Sequence, residues 1–107
     1  MKSLDDRQKE FEAEFARGQE LSFRITARRN RLLGLWAAER LGLPAGEPAE
    51  AYAKTVVAAD FQMPGDDDVV EKVRGDLAAK GVDVTEAEVR AELTRAAAQA
   101  REQLAGR

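Results

Sequence analysis

One segment of the sequence concentrates residues that could bind phosphate. It is the stretch RITARRNR, with four arginines: Arg24, Arg28, Arg29 and Arg31. Guanidinium groups bind phosphate through paired hydrogen bonds, so the Arg24–Arg31 segment could bind a nucleotide or a nucleic acid. Arginine clusters of this size are also common on solvated helix faces, where they pair with acidic side chains of the same fold. Because no aromatic residues alternate with these arginines for base stacking, we favour the structural interpretation.

A second segment, GDDD at residues 65–68, has the composition of a cation site. A calcium loop, however, spaces its oxygen ligands alternately over about 12 residues and ends in a bidentate glutamate. Three consecutive aspartates are explained by helix capping and by the positive end of the helix dipole. We therefore predict no metal site.

The sequence lacks the residue types on which most enzymes depend. Cysteine and histidine are both absent, which excludes thiolate chemistry, imidazole bases and the usual transition-metal ligands. No glycine falls in the spacing of a phosphate-binding loop. Catalysis would have to use carboxylates, lysine, serine or Tyr52, and no acid–base pair can be nominated among them. We expect a protein that is not an enzyme and that needs no cofactor.

Charge is distributed unevenly along the 107 residues, whose net charge is −3. Residues 1–31 carry eight Lys and Arg against six Asp and Glu, whereas residues 32–107 carry nine against fourteen. An acidic chain of this kind has no general attraction for nucleic acid. No apolar run approaches the roughly 18 residues of a membrane span, and the MKSLDD start lacks the apolar core of a signal peptide. We expect a cytoplasmic protein.

The hydrophobic pattern predicts four helices with short loops, and therefore an all-α, compact four-helix bundle over residues 19–107. The predicted helices are Glu20–Leu41, Pro48–Phe61, a third that is capped by Asp67 or Asp68 and ends before Gly81, and a fourth from Thr85 to Leu104. Apolar residues recur in the first helix from Leu21 onward and cover much of its circumference in the second half, so this helix should be central to a core that extends from Leu21 to Leu104. Trp36 and Tyr52 are interpreted as core residues with polar tips that reach a partner or water.

Local signals mark two of the helix ends. Thr85 and Glu88 have the spacing of a capping box, and Val84 and Val89 that of a hydrophobic staple. Gly81 stands where a left-handed C-terminal cap belongs. These positions fix the expected boundaries of the last loop.

The N-terminal arm, residues 1–18, has a different composition. Its stretch DDRQKEFEAEF is mostly charged, yet Phe11 and Phe15 lie four residues apart, on one face of a helix. Burial of so few large apolar residues cannot offset the entropic cost of ordering this segment. We therefore expect the arm to be mobile in the absence of a partner, with Gly18 as a hinge. Either the two rings dock on the bundle as frayed core, or they anchor a helix in the groove of a partner.

Three stretches resemble the zeta subunit family of alphaproteobacterial F-type ATP synthases. They are DDRQKEFEAEFA, ARRNRLLGLWAAERLG, and AYAKTVVAADF with PGDDDVVEKVRGDL, and the likeness runs from Leu4 to about Arg95. The resemblance implies a four-helix protein that inhibits ATP hydrolysis by the synthase. In that family the arm becomes helical as it enters the catalytic interface between the alpha and beta subunits, beside the central stalk, and it blocks rotation only in the hydrolytic direction.

The resemblance also implies which residues make the inhibitory contact. They are Asp5, Asp6, Arg7, Lys9, Glu10, Phe11, Glu14 and Phe15. The expected partner is the catalytic head of the synthase, with no nucleic acid, and the protein would reach the inner face of the plasma membrane only through the synthase. A nucleotide- or nucleic-acid-binding helical protein, using Arg28, Arg29 and Arg31, is the alternative. A salt titration would distinguish the two, since phosphate-driven affinity falls steeply with salt.

Overall fold

The computed structural model describes residues 4–60 and 65–105, and the side chains of 18–60 and 65–105. This part of the chain folds into four helices without a strand, which confirms the predicted all-α bundle. The helices are α1 (Leu4–Arg40), α2 (Glu47–Ala59), α3 (Asp67–Ala79) and α4 (Glu86–Ala105). Helix α1 packs against all three others, and most extensively against α2 and α4.

Helix α1 is continuous through Gly18, where the sequence predicts a hinge. One glycine inside a helix costs only about 1 kcal/mol relative to alanine, which is too little to break a helix extended on both sides. At 1.5 Å per residue, the 37 residues of α1 span about 55 Å. A hinge motion at Gly18 stays a prediction.

The core lies between the four helices and is almost entirely aliphatic. Its fully or nearly buried members are Leu33, Ala37, Val56, Val69, Val70, Val73, Leu77, Val89 and Leu93. Trp36 and Tyr52 pack against this cluster while partly exposed, as predicted. Leu21, in contrast, is 49% exposed and lies outside the core, so the prediction of a core-forming helix from that residue onward is wrong for its first turn. Periodicity identifies an apolar face but does not show where the neighbouring helices end.

Gly34 brings α1 and α2 into close contact. A Cβ atom at this position would lie 2.6 Å from the Cα of Ala53, closer than such atoms approach in proteins. Only glycine therefore permits this separation of the two helix backbones. The contact fixes α1 in the bundle and with it the direction in which the arm leaves.

Two predicted caps are confirmed and one is corrected. The backbone N–H of Glu88 donates to Thr85 Oγ1 at 3.1 Å, and Gly81 has φ 76° while Val82 N–H donates to the Leu77 carbonyl at 2.9 Å. The N-cap of α3 is Asp66, not Asp67 or Asp68. Gly65, with φ 101°, turns the chain directly before Asp66, so the next two aspartates already belong to the first turn.

Helix α2 begins and ends slightly earlier than its pattern predicts. It starts at Glu47, so Pro48 occupies a first-turn position, where its missing N–H costs nothing. It ends at Ala59, and Phe61, the predicted last residue, lies outside the described part of the chain.

Candidate functional site

The eight predicted contact residues, 5–7, 9–11, 14 and 15, all belong to the N-terminal part of α1. Their backbone is helical, so Phe11 and Phe15 lie on one helix face. Their side chains lie outside the described residues, and the contacts predicted for them stay predictions.

Burial changes systematically along α1 next to the arm. Residues 18–24 are all exposed, residues 25–29 are half-buried, and Asn30 is 1% exposed. The exposed turns include two large apolar side chains, Leu21 at 49% and Phe23 at 55%. Helix α1 therefore leaves the bundle on the N-terminal side of Ile25, and the arm continues a helix whose far end is held in the core.

Two arginines of the Arg24–Arg31 segment are paired with glutamates. Arg24 Nη2 lies 2.9 Å from Glu20 Oε1, one helical turn earlier. Arg31 donates two hydrogen bonds to Glu50 of α2, one of them from Nε to Oε2 at 3.0 Å. The hydrogen bond from Arg31 lowers the pKa of Glu50, because it stabilises the ionised carboxylate. The charges of both arginines are thus paired with carboxylates of the same bundle.

Arg29 points inward and joins α1 to the start of α3. Its Nη2 lies 3.0 Å from Oδ1 of Asp66, and its Nε donates to Oδ1 of Asn30 at 3.0 Å. In the described structure Arg29 Nη2 and Asn30 Nδ2 are both buried and neither forms a hydrogen bond, although Nη2 is within ion-pair distance of Asp66. The Arg29 side chain is only 13% exposed and is not presented to solvent as a phosphate contact would be.

Arg28 differs from the other three arginines. Its Nη1 donates to Oε1 of Gln103, on α4, at 3.1 Å. Gln103 is neutral, and no carboxylate among the described residues forms an ion pair with Arg28. Arg28 is thus the one arginine of the segment that keeps an unneutralised charge in the described structure.

Arg28 lies in an open groove that we call the arginine groove. It has a volume of about 450 Å³ and is lined by Phe23, Arg24, Ala27, Arg28, Arg31, Val57 and Leu104. A smaller hollow of about 300 Å³ adjoins it, and Thr26, Asn30 and Asp60 complete its lining. Sequence reasoning missed this groove because α1, α2 and α4 each contribute residues that are distant in the chain.

Two of the three aspartates at the start of α3 are paired with arginines. Asp66 faces Arg29, and Asp67 Oδ1 accepts a hydrogen bond from Arg90 of α4 at 2.6 Å. Among the described residues, no group of three or more acidic side chains is arranged to hold a metal ion. No helix in the described part of the chain is long and apolar enough to cross a membrane.

The fold and the groove define a helical protein that extends one long helix from a compact bundle. The family model of ATPase inhibitor subunit zeta matches residues 1–103, so the protein belongs to this family of inhibitor subunits. The match includes both the arm and the bundle and confirms the resemblance seen in the sequence. A search among curated proteins found no significant match.

Proposed function

We propose that the protein inhibits ATP hydrolysis by the bacterial F-type ATP synthase by inserting its arm into the catalytic head. The arm enters the interface between an alpha and a beta subunit beside the central stalk and stops rotation in the hydrolytic direction. The observation that carries this proposal is the family match over residues 1–103, which covers the whole arm as well as the bundle. When it is bound to the synthase, the protein lies at the cytoplasmic face of the plasma membrane.

The chemistry of the arm fits a helix that binds in a groove. Phe11 and Phe15 project from one face and supply the apolar anchors, which usually dominate such interfaces. The other six predicted contacts form a charged rim, which gives orientation more than affinity. They are Asp5, Asp6, Arg7, Lys9, Glu10 and Glu14.

The bundle acts as the scaffold of the arm. Among the side chains that the structure describes, the hydrophobic core begins at Leu33, and residues 18–24 are exposed. The arm can therefore insert into a partner without any change in the described core. Because ordering costs conformational entropy, the anchors must supply the free energy that holds the arm helical in the complex.

The experiment that tests the anchors is an ATP hydrolysis assay on the purified synthase head. Phe11 and Phe15 are replaced together by alanine in the full-length protein. The matched control replaces Gln8 and Glu12, which have the same spacing in the same segment but lie outside the predicted contacts. We expect the first variant to inhibit at least about a hundredfold less strongly, since burying each phenylalanine contributes about 1.5–3 kcal/mol. The control should inhibit nearly as well as the wild type.

Thermal unfolding of the same variants separates this proposal from the alternative in which the rings are frayed core. If Phe11 and Phe15 contact only the partner, their replacement leaves the unfolding temperature unchanged. A clear fall in that temperature, with inhibition retained, would show that the rings belong to the bundle and would contradict the proposal.

A further inference from the structure

The arginine groove has features of a second surface that could contact a partner, in addition to the arm. Its charge comes from Arg28, since Arg24 and Arg31 on the same groove are each paired with a glutamate. A guanidinium that is partly buried beside apolar side chains loses hydration and gains from a carboxylate partner. In the described structure Arg28 has only the neutral Gln103. The groove therefore presents one positive charge that the fold leaves without a counter-charge.

The apolar part of the groove lining comes from three helices. Ala27 of α1, Val57 of α2 and Leu104 of α4 line the groove, and Phe23 borders it with about half of its surface exposed. A groove lined by apolar side chains and one unneutralised arginine is complementary to an amphipathic helix that carries a carboxylate.

The groove is also close to the arm. At 1.5 Å per residue, the 13 residues from Phe15 to Arg28 correspond to about 20 Å along α1. Because α1 is one helix, the groove has a fixed direction relative to the arm whenever that helix is intact. A large partner that holds the arm therefore has its surface within reach of the groove.

We propose that the arginine groove is a second docking site for the synthase head, in which Arg28 pairs with an aspartate or glutamate of an amphipathic helix. This inference rests on the proposed function, because the partner is the one that holds the arm. A single carboxylate matches the single unneutralised charge. A nucleotide phosphate chain, in contrast, carries several negative charges and would have to displace the glutamates from Arg24 and Arg31.

The test measures the affinity of the full-length protein for the purified synthase head at low and at moderate salt. Arg28→Ala should weaken binding about ten- to hundredfold, the effect of losing one hydrogen-bonded charge, and should make binding less sensitive to salt. Arg28→Lys should restore part of the affinity. Arg95→Ala is the control, because Arg95 is exposed on α4, pairs with Glu92 and lies outside the groove.

A further variant distinguishes a charge contact from a structural role of Arg28. Gln103→Ala removes the hydrogen bond between α1 and α4 but keeps the Arg28 charge. We expect it to bind the head as the wild type does. Equal weakening by Gln103→Ala and Arg28→Ala would show that the pair only holds the helices together, and it would overturn the inference.

Two other results would also overturn it. If Arg28→Ala binds the synthase head as tightly as the wild type does, the groove makes no contact with the head. This result would overturn the inference even if the wild-type protein inhibits through its arm. If Arg28→Ala instead abolishes binding of ATP to the isolated protein and leaves binding to the head unchanged, the groove is a nucleotide site. Failure of the wild-type protein to bind the head at all would contradict the proposed function as well, so the two failures are distinguishable.

Discussion

Replacement of Gly34 by alanine tests how the bundle holds the helix that carries the arm. The added Cβ would lie 2.6 Å from Ala53 Cα, 3.0 Å from Ala53 Cβ and 3.3 Å from Val56 Cγ2. Because the nearest atom belongs to the backbone of α2, no rotation of a side chain can relieve the contact. The helices have to move apart, and the packing around them has to adjust.

The expected change in the free energy of unfolding of Gly34→Ala is the difference between two effects. Alanine is favoured over glycine inside a helix by about 1 kcal/mol. Overpacking in a well-packed core costs about 1–3 kcal/mol, and a clash with backbone belongs at the upper end of that range. The free energy of unfolding should therefore fall by about 2 kcal/mol, which in a domain of this size lowers the unfolding temperature by about 10 °C.

Urea and thermal unfolding, followed by circular dichroism and by the fluorescence of Trp36, measure this change. Gly75→Ala is the matched control, because Gly75 lies inside α3, is exposed, and has no atom within 4 Å of an added Cβ. That variant should be more stable by up to about 1 kcal/mol. If Gly34→Ala is as stable as the wild type, or gains stability as Gly75→Ala does, the close approach of α1 and α2 is refuted.

Three further predictions concern other parts of the fold. Tyr52→Phe removes a 2.8 Å hydrogen bond to Asp76 and should cost about 1 kcal/mol in urea unfolding. Burial, and then this hydrogen bond, raise the pKa of Tyr52 above its ordinary 10.0. The neutral Tyr52 hydroxyl therefore contributes fully to the free energy of unfolding below about pH 10, and this contribution is lost as the pH rises through the folded-state pKa. Above about pH 10 the stability of the wild type should fall more steeply with pH than that of Tyr52→Phe. Thr85→Ala should cost about 1 kcal/mol through loss of the cap, whereas Thr94→Ala, inside α4, should have little effect on the same unfolding curves. Gly18→Ala has open space around its Cβ and should increase the helix content measured by circular dichroism while inhibition is retained; loss of inhibition would show that the arm needs a hinge there.

The features that sequence predicted are those encoded within a few residues. The cap at Thr85 and the left-handed Gly81 depend on neighbouring residues, and both are found where expected. The four helices follow from the spacing of apolar residues. The start of α3 was misplaced because three consecutive aspartates are equivalent as caps, and the choice is made by the turn at Gly65.

The features that sequence missed depend on distant parts of the chain. Arg28 and Gln103 are 75 residues apart, and nothing near either residue indicates the other. The tight packing of Gly34 on Ala53 depends in the same way on the placement of a second helix. The contacts of the arm are a different case, because the surface that would determine them belongs to another protein.

We propose that the arm, and not the bundle, inhibits ATP hydrolysis. The most direct measurement compares ATP hydrolysis by the purified synthase head with the full-length protein and with a chain that starts at Gly18. The shortened chain keeps every core residue that the structure describes and should keep the helical circular dichroism spectrum of the bundle. We predict that the full-length protein inhibits hydrolysis and that the shortened chain does not. Equal inhibition by the two would contradict the account.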